Sequence, residues 1–145
     1  MLSLSGVDLA IMEHPAKAGV MVINRRGKAS LTDYNVLEEL QGFSLVQFRI
    51  HTGRTHQIRV HMQSLGHPIV CDELYGDGRP VFLSSIKRNY KLSKSEEQER
   101  PLLNRLALHS QLLRFTDAAG STHSLEAPLP KDMRALIQQL RKSKG

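Results

Sequence analysis

The stretch HTGRTHQIRVHM, residues 51–62, decides how the rest of this chain is read. It places three histidines and two arginines in twelve residues and contains no Asp or Glu. No acid occurs anywhere from Gln41 to Cys71. So many donors without a local acid raise the question of what neutralises them, because cations withdrawn from water need a partner. The period of the pattern also changes inside the stretch. Before it, GFSLVQFRIH (residues 42–51) alternates, with Ser44, Val46, Phe48 and Ile50 predicted to face the core. After Gly53, Ile58, Met62 and Leu65 recur at helical spacing and are predicted to face inward. Thr55 is placed to cap that helix, and Gly66 with Pro68 to end it. The stretch therefore reads as a strand end, a glycine turn and a helix start, where free backbone N–H groups favour anions.

Working outward, GVMVINR (residues 19–25) and ASLTDYNVLEEL (29–40) read as strands, forming an antiparallel meander with 42–51 through short Gly-bearing linkers. HPIVCDELYGDG (67–78) reads as a short strand and turn. Residues 84–100 read as an exposed, charged excursion. LALHSQLLRFTD (106–117) is predicted as a strand that pairs back with THSLEAP through the turn DAAGS. From Asp132 an amphipathic helix presents Met133, Leu136, Ile137 and Leu140 on one face, with RKSKG frayed at its end. The expected class is α+β, a mostly antiparallel (mixed) sheet with packed helices.

The 145 residues suit one domain, and 40% apolar content supports a buried core. One cysteine, Cys71, excludes an internal disulfide. No apolar run reaches the roughly 18 residues of a membrane span, and the N-terminus is a poor signal peptide, so a cytoplasmic location is expected with no membrane partner. Net charge is +6 and uneven: residues 1–42 carry −1 and residues 43–145 carry +7. A basic part of this kind suits a polyanion.

His51, His56, His61 and His67 do not make a metal site by spacing. His56 and His61 lie five apart, about 140° around a helix, and no Glu intervenes. Neither metal nor cofactor is expected: the sequence contains no GxSxG elbow, no phosphate loop and no GxGxxG fingerprint. On the helix His56, Arg59, Val60 and Gln63 share one side, and Arg54 precedes them in the turn. Guanidinium groups so placed suit phosphate or carboxylate. The competing reading pairs Arg59 with a structural Asp. His61 is expected to be a hydrogen-bonded packing residue.

TGRTHQIRVHM followed by LGHPIVCDELYG resembles the RluA-type family of RNA pseudouridine synthases. GKASLTDYNVLEEL upstream, LNRLALHSQLLRF downstream and SLEAPLPKDM near the end agree in order, over most of residues 20–133. Cys71 departs from the Gly usual before the Asp, and the 84–100 excursion is longer than in many members. The resemblance implies isomerisation of uridine within RNA, with ribosomal or transfer RNA as partner: the N-glycosidic bond breaks, the uracil turns and rejoins through carbon, without a cofactor. It implies a catalytic Asp in a His-Arg-Leu-Asp box, a Tyr in a following block, and an ion-pairing Arg that maps onto Arg59. Leu108 would line the uracil pocket, and Arg54, His56 and Gln57 would contact RNA. This sequence has no such box; its Arg105–Leu106 pair is not followed by Asp, and Tyr34 lies in another block. The expectation is thus that residues 1–145 are the C-terminal part of a synthase catalytic domain, inactive alone, with the acid for Arg59 in an upstream segment. A non-catalytic RNA-binding module and one half of a split synthase are the alternatives. A partial domain would expose a sheet edge or apolar patch and self-associate through it.

Overall fold

In the computed structural model, which describes residues 5–87 and 99–143, short strands and two helices build a mixed α+β fold in which every sheet is antiparallel. Strands β1 (Ser5–Asp8), β4 (Leu31–Leu40) and β5 (Phe43–Ile50) form one sheet in the order β1-β4-β5. β2 (Ile11–Glu13) pairs with β3 (Met21–Ile23). β6 (Leu112–Thr116) pairs with β7 (Thr122–Glu126). Helix α1 (Gln57–Ser64) follows β5, and α2 (Lys131–Ser143) closes the described chain.

β4 and β5 turn back on each other through only Gln41 and Gly42, since Leu40 pairs with Phe43. Gly42 takes a φ of 73° there, which a residue without Cβ adopts at little cost. The expected meander is corrected at its first strand: β3 leaves for β2, and β4 takes β1 as its neighbour. β1 and β2 are three or four residues long, too short for alternation to announce them.

The predicted core face of β5 is also corrected. Ser44 is exposed and Ile50 is 49% exposed, whereas Phe43, from the opposite set, packs against the main apolar cluster. β5 is the edge of its sheet and no residue in it is fully buried, so alternation there does not report the core. The strand predicted in residues 67–78 is a series of turns, and the one predicted over 106–117 is regular only from Leu112. α2 follows the prediction, with Leu136, Ile137 and Leu140 buried, and stays helical to Ser143.

Two apolar clusters result. Leu40, Cys71, Val81, Leu103, Leu136 and Leu140 join α2 to the end of β4 and to the loops after α1. Ile11, Val60 and Tyr75 join α1 to β2 and β3. Residues 88–98 of the charged excursion, and the last two of RKSKG, lie outside the described residues. The excursion's base is closed by the Val81–Leu103 bridge and by Ser84, whose N–H and hydroxyl both donate to Glu99. The β6–β7 hairpin shows apolar side chains to solvent. Leu113 pairs with Leu125 and Phe115 with His123, so these four share one face, and the three apolar members are 56%, 59% and 44% exposed for Leu113, Leu125 and Phe115.

Candidate active site

The first turn of α1 and the loop of residues 69–76 hold the quoted cluster together. α1 begins at Gln57, and its cap is His56 rather than Thr55, in the left-handed region at φ 54°, ψ 26°. Its inward face is Gln57, Val60 and His61, not the predicted Ile58–Met62–Leu65 set; Leu65 is 40% exposed, and Met62 alone of that set is fully buried. Helical residues advance by roughly 100°, and the true face is displaced by about one such step. The cause is that two of the three inward residues are polar and fully hydrogen-bonded.

Gln57, 4% exposed, uses its whole amide. Its Nε2 donates to the Leu31 carbonyl and to Thr32 Oγ1, both at 2.9 Å. Its Oε1 accepts from Thr52 Oγ1 at 2.7 Å and from the Arg54 N–H at 3.1 Å. Gln57, expected to contact RNA, has its two donors and two acceptor positions filled within the chain, and the amide fastens α1 to β4. His61, 0% exposed, is the packing residue expected. Its Nε2 lies 2.9 Å from the Leu9 carbonyl, which can only accept, so Nε2 carries the proton. Nδ1 then accepts from Thr32 Oγ1 at 2.9 Å, and Thr32 accepts from Gln57.

Arg59 has its acid within the chain. Nε and Nη2 donate to the two oxygens of Asp72 at 3.0 and 2.8 Å, a bidentate pair in which the Asp72 side chain is 0% exposed and that of Arg59 19%. Asp72 is thus an internal acid for Arg59, as the competing reading has it, and Nη1 lies outside this pair. Asp72 stands one residue past the acid-free window, where a local count misses it. A second acid, Asp33 on β4, meets His51 Nε2 at 2.6 Å. Asp72 Oδ1 also accepts the N–H groups of Leu74 and Tyr75, each at 3.0 Å, so one carboxylate shapes its own turn and aligns the arginine. Burial pushes the Asp72 carboxyl up, but the Arg59 hydrogen bond and these two N–H groups outweigh it and hold the group below its ordinary value. The same hydrogen bond raises Arg59 further.

Tyr75, which sequence reasoning also passed over, completes the group. Its ring centroid lies 5.1 Å from Arg59 Cζ and it meets His56 edge-on at 5.5 Å. Its hydroxyl accepts the Met21 N–H at 2.9 Å and lies 2.8 Å from His56 Nδ1. The hydroxyl keeps one proton and one further lone pair for His56 Nδ1, so the direction of that bond follows the tautomer of the ring. Burial, then the neighbouring Arg59, lower the His56 pKa against an opposing pull from Asp72, which agrees with a neutral ring. Both residues were within reach of sequence reading: Asp72 and Tyr75 sit in CDELYG, a block already singled out.

Arg54 is half-buried, and its Nε donates to the Ala29 carbonyl at 3.1 Å. Leu108 is half-buried in the irregular residues 106–111. That segment runs beside the Asp72 loop, because Ala107 N–H donates to the Val70 carbonyl at 3.0 Å. Thus Arg59, His56, Asp72 and Tyr75 are brought together, Arg54 is held to the Ala29 carbonyl ahead of β4, and Gln57 is withdrawn. Among the described residues no group of His, Cys, Asp or Glu is arranged to hold a metal ion.

A family model described as RNA pseudouridylate synthase matches residues 7–64. An uncharacterized RNA pseudouridine synthase of Chlorobaculum parvum is 48% identical over 119 residues, covering 79% of this chain and 34% of the relative. The ribosomal large subunit pseudouridine synthase D of Escherichia coli is 35% identical over 144 residues, covering 93% and 40%. Among solved structures, human RNA pseudouridylate synthase domain containing 1 superposes with a TM-score of 0.59 at 29% identity, covering 96% of this chain and 60% of that one. Human RNA pseudouridylate synthase domain containing 4 gives 0.58 at 28% identity, covering 96% and 57%. The chain thus spans 34–40% of the length of these curated relatives.

Proposed function

The chain belongs to the RluA-type family of RNA pseudouridine synthases, and from that premise we propose that it forms part of a catalytic domain that isomerises uridine in RNA. The E. coli relative is named for the large ribosomal subunit, which favours ribosomal over transfer RNA as the substrate. One observation carries the assignment of the site. Arg59 is fixed on the first turn of α1 by Asp72 at 2.8 and 3.0 Å and lies over Tyr75, with Nη1 outside the pair. A guanidinium held this firmly presents its remaining donors in one direction, as a site for a reacting group requires. His56 and Arg54 face RNA phosphate; Leu108 supplies apolar contact for the uracil. The nucleophilic carboxylate comes from a His-Arg-Leu-Asp box, which these 145 residues do not contain.

The reaction breaks the bond from N1 to the ribose and forms one from C5, so the C5 hydrogen leaves and N1 gains a proton. Release of tritium from RNA labelled at uridine C5 therefore reports turnover. The 145-residue chain alone is expected to release none, and a mixture with an upstream segment bearing the box to release it. Release by the chain alone would place the nucleophile inside it and overturn this assignment. Binding of RNA with no release from the mixture would instead favour a non-catalytic RNA-binding module. On the same reading the Leu113–Phe115–Leu125 face docks another part of the domain, and copies of the isolated chain self-associate through it. Sedimentation of the chain with Leu113→Lys and Leu125→Lys, if unchanged from wild type, would remove that proposal.

A further inference from the structure

The residues placed at the site leave a group of exposed cations without a task. Arg25, Arg26 and Lys28 lie in the turn between β3 and β4, all three exposed. None of them is in an ion pair among the described residues, and no acid occurs from Asn24 to Thr32. Asp33, the next acid along the chain, is occupied by His51. Glu13, at the far end of β2, accepts the Gly19 N–H.

A charged turn is ordinarily a solvated one; this turn differs in being rigid. Asn24 N–H donates to the Ala10 carbonyl at 3.0 Å, and the Asn24 side chain accepts the Arg26 N–H at 2.9 Å. Gly27 N–H returns to the Asn24 carbonyl at 2.8 Å. Lys28 and Ile11 exchange both backbone hydrogen bonds, at 2.8 and 3.0 Å. Gly27 is packed so closely on β2 that a Cβ there would lie 2.4 Å from the Ile11 carbonyl carbon and oxygen. The turn also joins the site: Arg54 reaches back from the start of α1 to the Ala29 carbonyl, next to Lys28, at 3.1 Å, and its two Nη groups have no hydrogen-bond partner among the described residues.

We propose that the turn of residues 24–28 and Arg54 form one phosphate-binding ledge, which carries the RNA strand flanking the uridine held at Arg59. This deepens the RNA reading above and rests on it. A flipped nucleotide leaves its neighbours' phosphates as the fixed reference for the enzyme, and a turn whose backbone is already held has only side-chain freedom to lose on meeting them. Arg25 and Arg26 offer planar, two-pronged donors, and Lys28 a point charge between them and Arg54.

The test titrates a fluorescein-labelled, uridine-bearing stem–loop RNA with single-stranded flanks against the 145-residue chain over a range of KCl concentrations. Three proteins are compared: wild type, a turn variant (Arg25→Ala, Arg26→Ala, Lys28→Ala), and a helix variant that removes the same charge from exposed α2 positions (Lys131→Ala, Arg134→Ala, Lys142→Ala). α2 packs on the other apolar cluster, so the helix variant reports diffuse attraction alone. Each lost phosphate contact lowers the slope of log affinity against log salt by about 0.7–0.9, so the turn variant's slope is expected to fall by about 2, with a loss of at least roughly tenfold at low salt. The helix variant is expected to keep the wild-type slope. Equal losses in the two variants, an unchanged slope in the turn variant, or no RNA binding by the wild type each overturn the ledge. The synthase reading fails separately: absence of tritium release from the reconstituted mixture, with the turn-dependent slope intact, overturns isomerisation and leaves the ledge standing.

Discussion

Replacing Asp72 by asparagine keeps the shape of the side chain and removes its charge. The consequences follow from which atom accepts which donor. Oδ1 takes Arg59 Nη2 and the N–H groups of Leu74 and Tyr75; Oδ2 takes Arg59 Nε. An asparagine that keeps its oxygen at the Oδ1 position preserves the turn and turns its NH2 toward Nε–H, donor against donor. Removing one partner of a buried pair costs about 3–5 kcal/mol. Arg59 keeps 19% exposure and can rehydrate in part, and the turn survives, so the expected loss is about 2–3 kcal/mol at neutral pH. The pH dependence gives the sharper test. The Asp72 carboxyl is held below its ordinary value, so its contribution is present above the unfolded-state pKa and fades as pH falls through the folded one. Urea unfolding of wild type and Asp72→Asn should therefore differ most at neutral pH and converge toward acid, because wild type alone loses this pair on acidification. A difference under about 0.5 kcal/mol at neutral pH, or a constant one down to acid, would refute the reasoning.

Tyr75→Phe keeps the ring under Arg59 and removes the hydroxyl between Met21 and His56. Where that hydroxyl donates to neutral Nδ1, its loss should raise the His56 pKa from its lowered position, so the rise of stability with pH that a neutral, half-buried histidine confers shrinks; 15N-detected titration of the ring checks it, and an unmoved or lowered His56 shows that the hydroxyl is not the donor. Gln57→Ala leaves the Arg54 N–H and the Thr52 hydroxyl proton without their acceptor, while Thr32 and the Leu31 carbonyl keep His61 and the His51 N–H, and should cost about 1–3 kcal/mol in thermal or urea unfolding; a cost of a few tenths would mean that water replaces the amide freely. Cys71 sits at φ 62°, where a residue with Cβ is strained by about 1–2 kcal/mol. The usual order should reverse there, with Cys71→Gly unfolding at higher urea than Cys71→Ala, and the opposite order would show that the strain is absent.

How much of this was legible in the sequence depended on whether the inward residues were apolar. α2 was readable because Leu136, Ile137 and Leu140 are both its apolar stripe and its buried one. α1 was readable as a helix but rotated, because Gln57 and His61 point inward and are satisfied by Thr32, Leu31 and Leu9, while the apolar Leu65 faces out. The positive φ at Cys71 gives the physical reason for glycine before the aspartate in the family pattern. The acid partner of Arg59 stood in a block already quoted, CDELYG, but its pairing was not readable for a different reason. Its separation along the chain is short, yet the contact is made by a turn that the aspartate itself shapes through two backbone N–H groups, and no periodicity encodes such a turn.

On the reading proposed above, that arrangement also sets what the site would offer a catalytic carboxylate from another segment. Asp72, Arg59, Tyr75, His56 and the Met21 N–H form one connected group across a loop, a helix start and a strand. A second carboxylate approaching Nη1 meets a cation whose charge is already shared with a side chain fully out of water. Its own pKa is therefore depressed less than a solitary arginine would depress it, since each added acid competes for the same positive charge. What Arg59 supplies at that point is chiefly direction: a donor whose angle is set by Asp72 in its plane and by the Tyr75 ring, 5.1 Å from its Cζ.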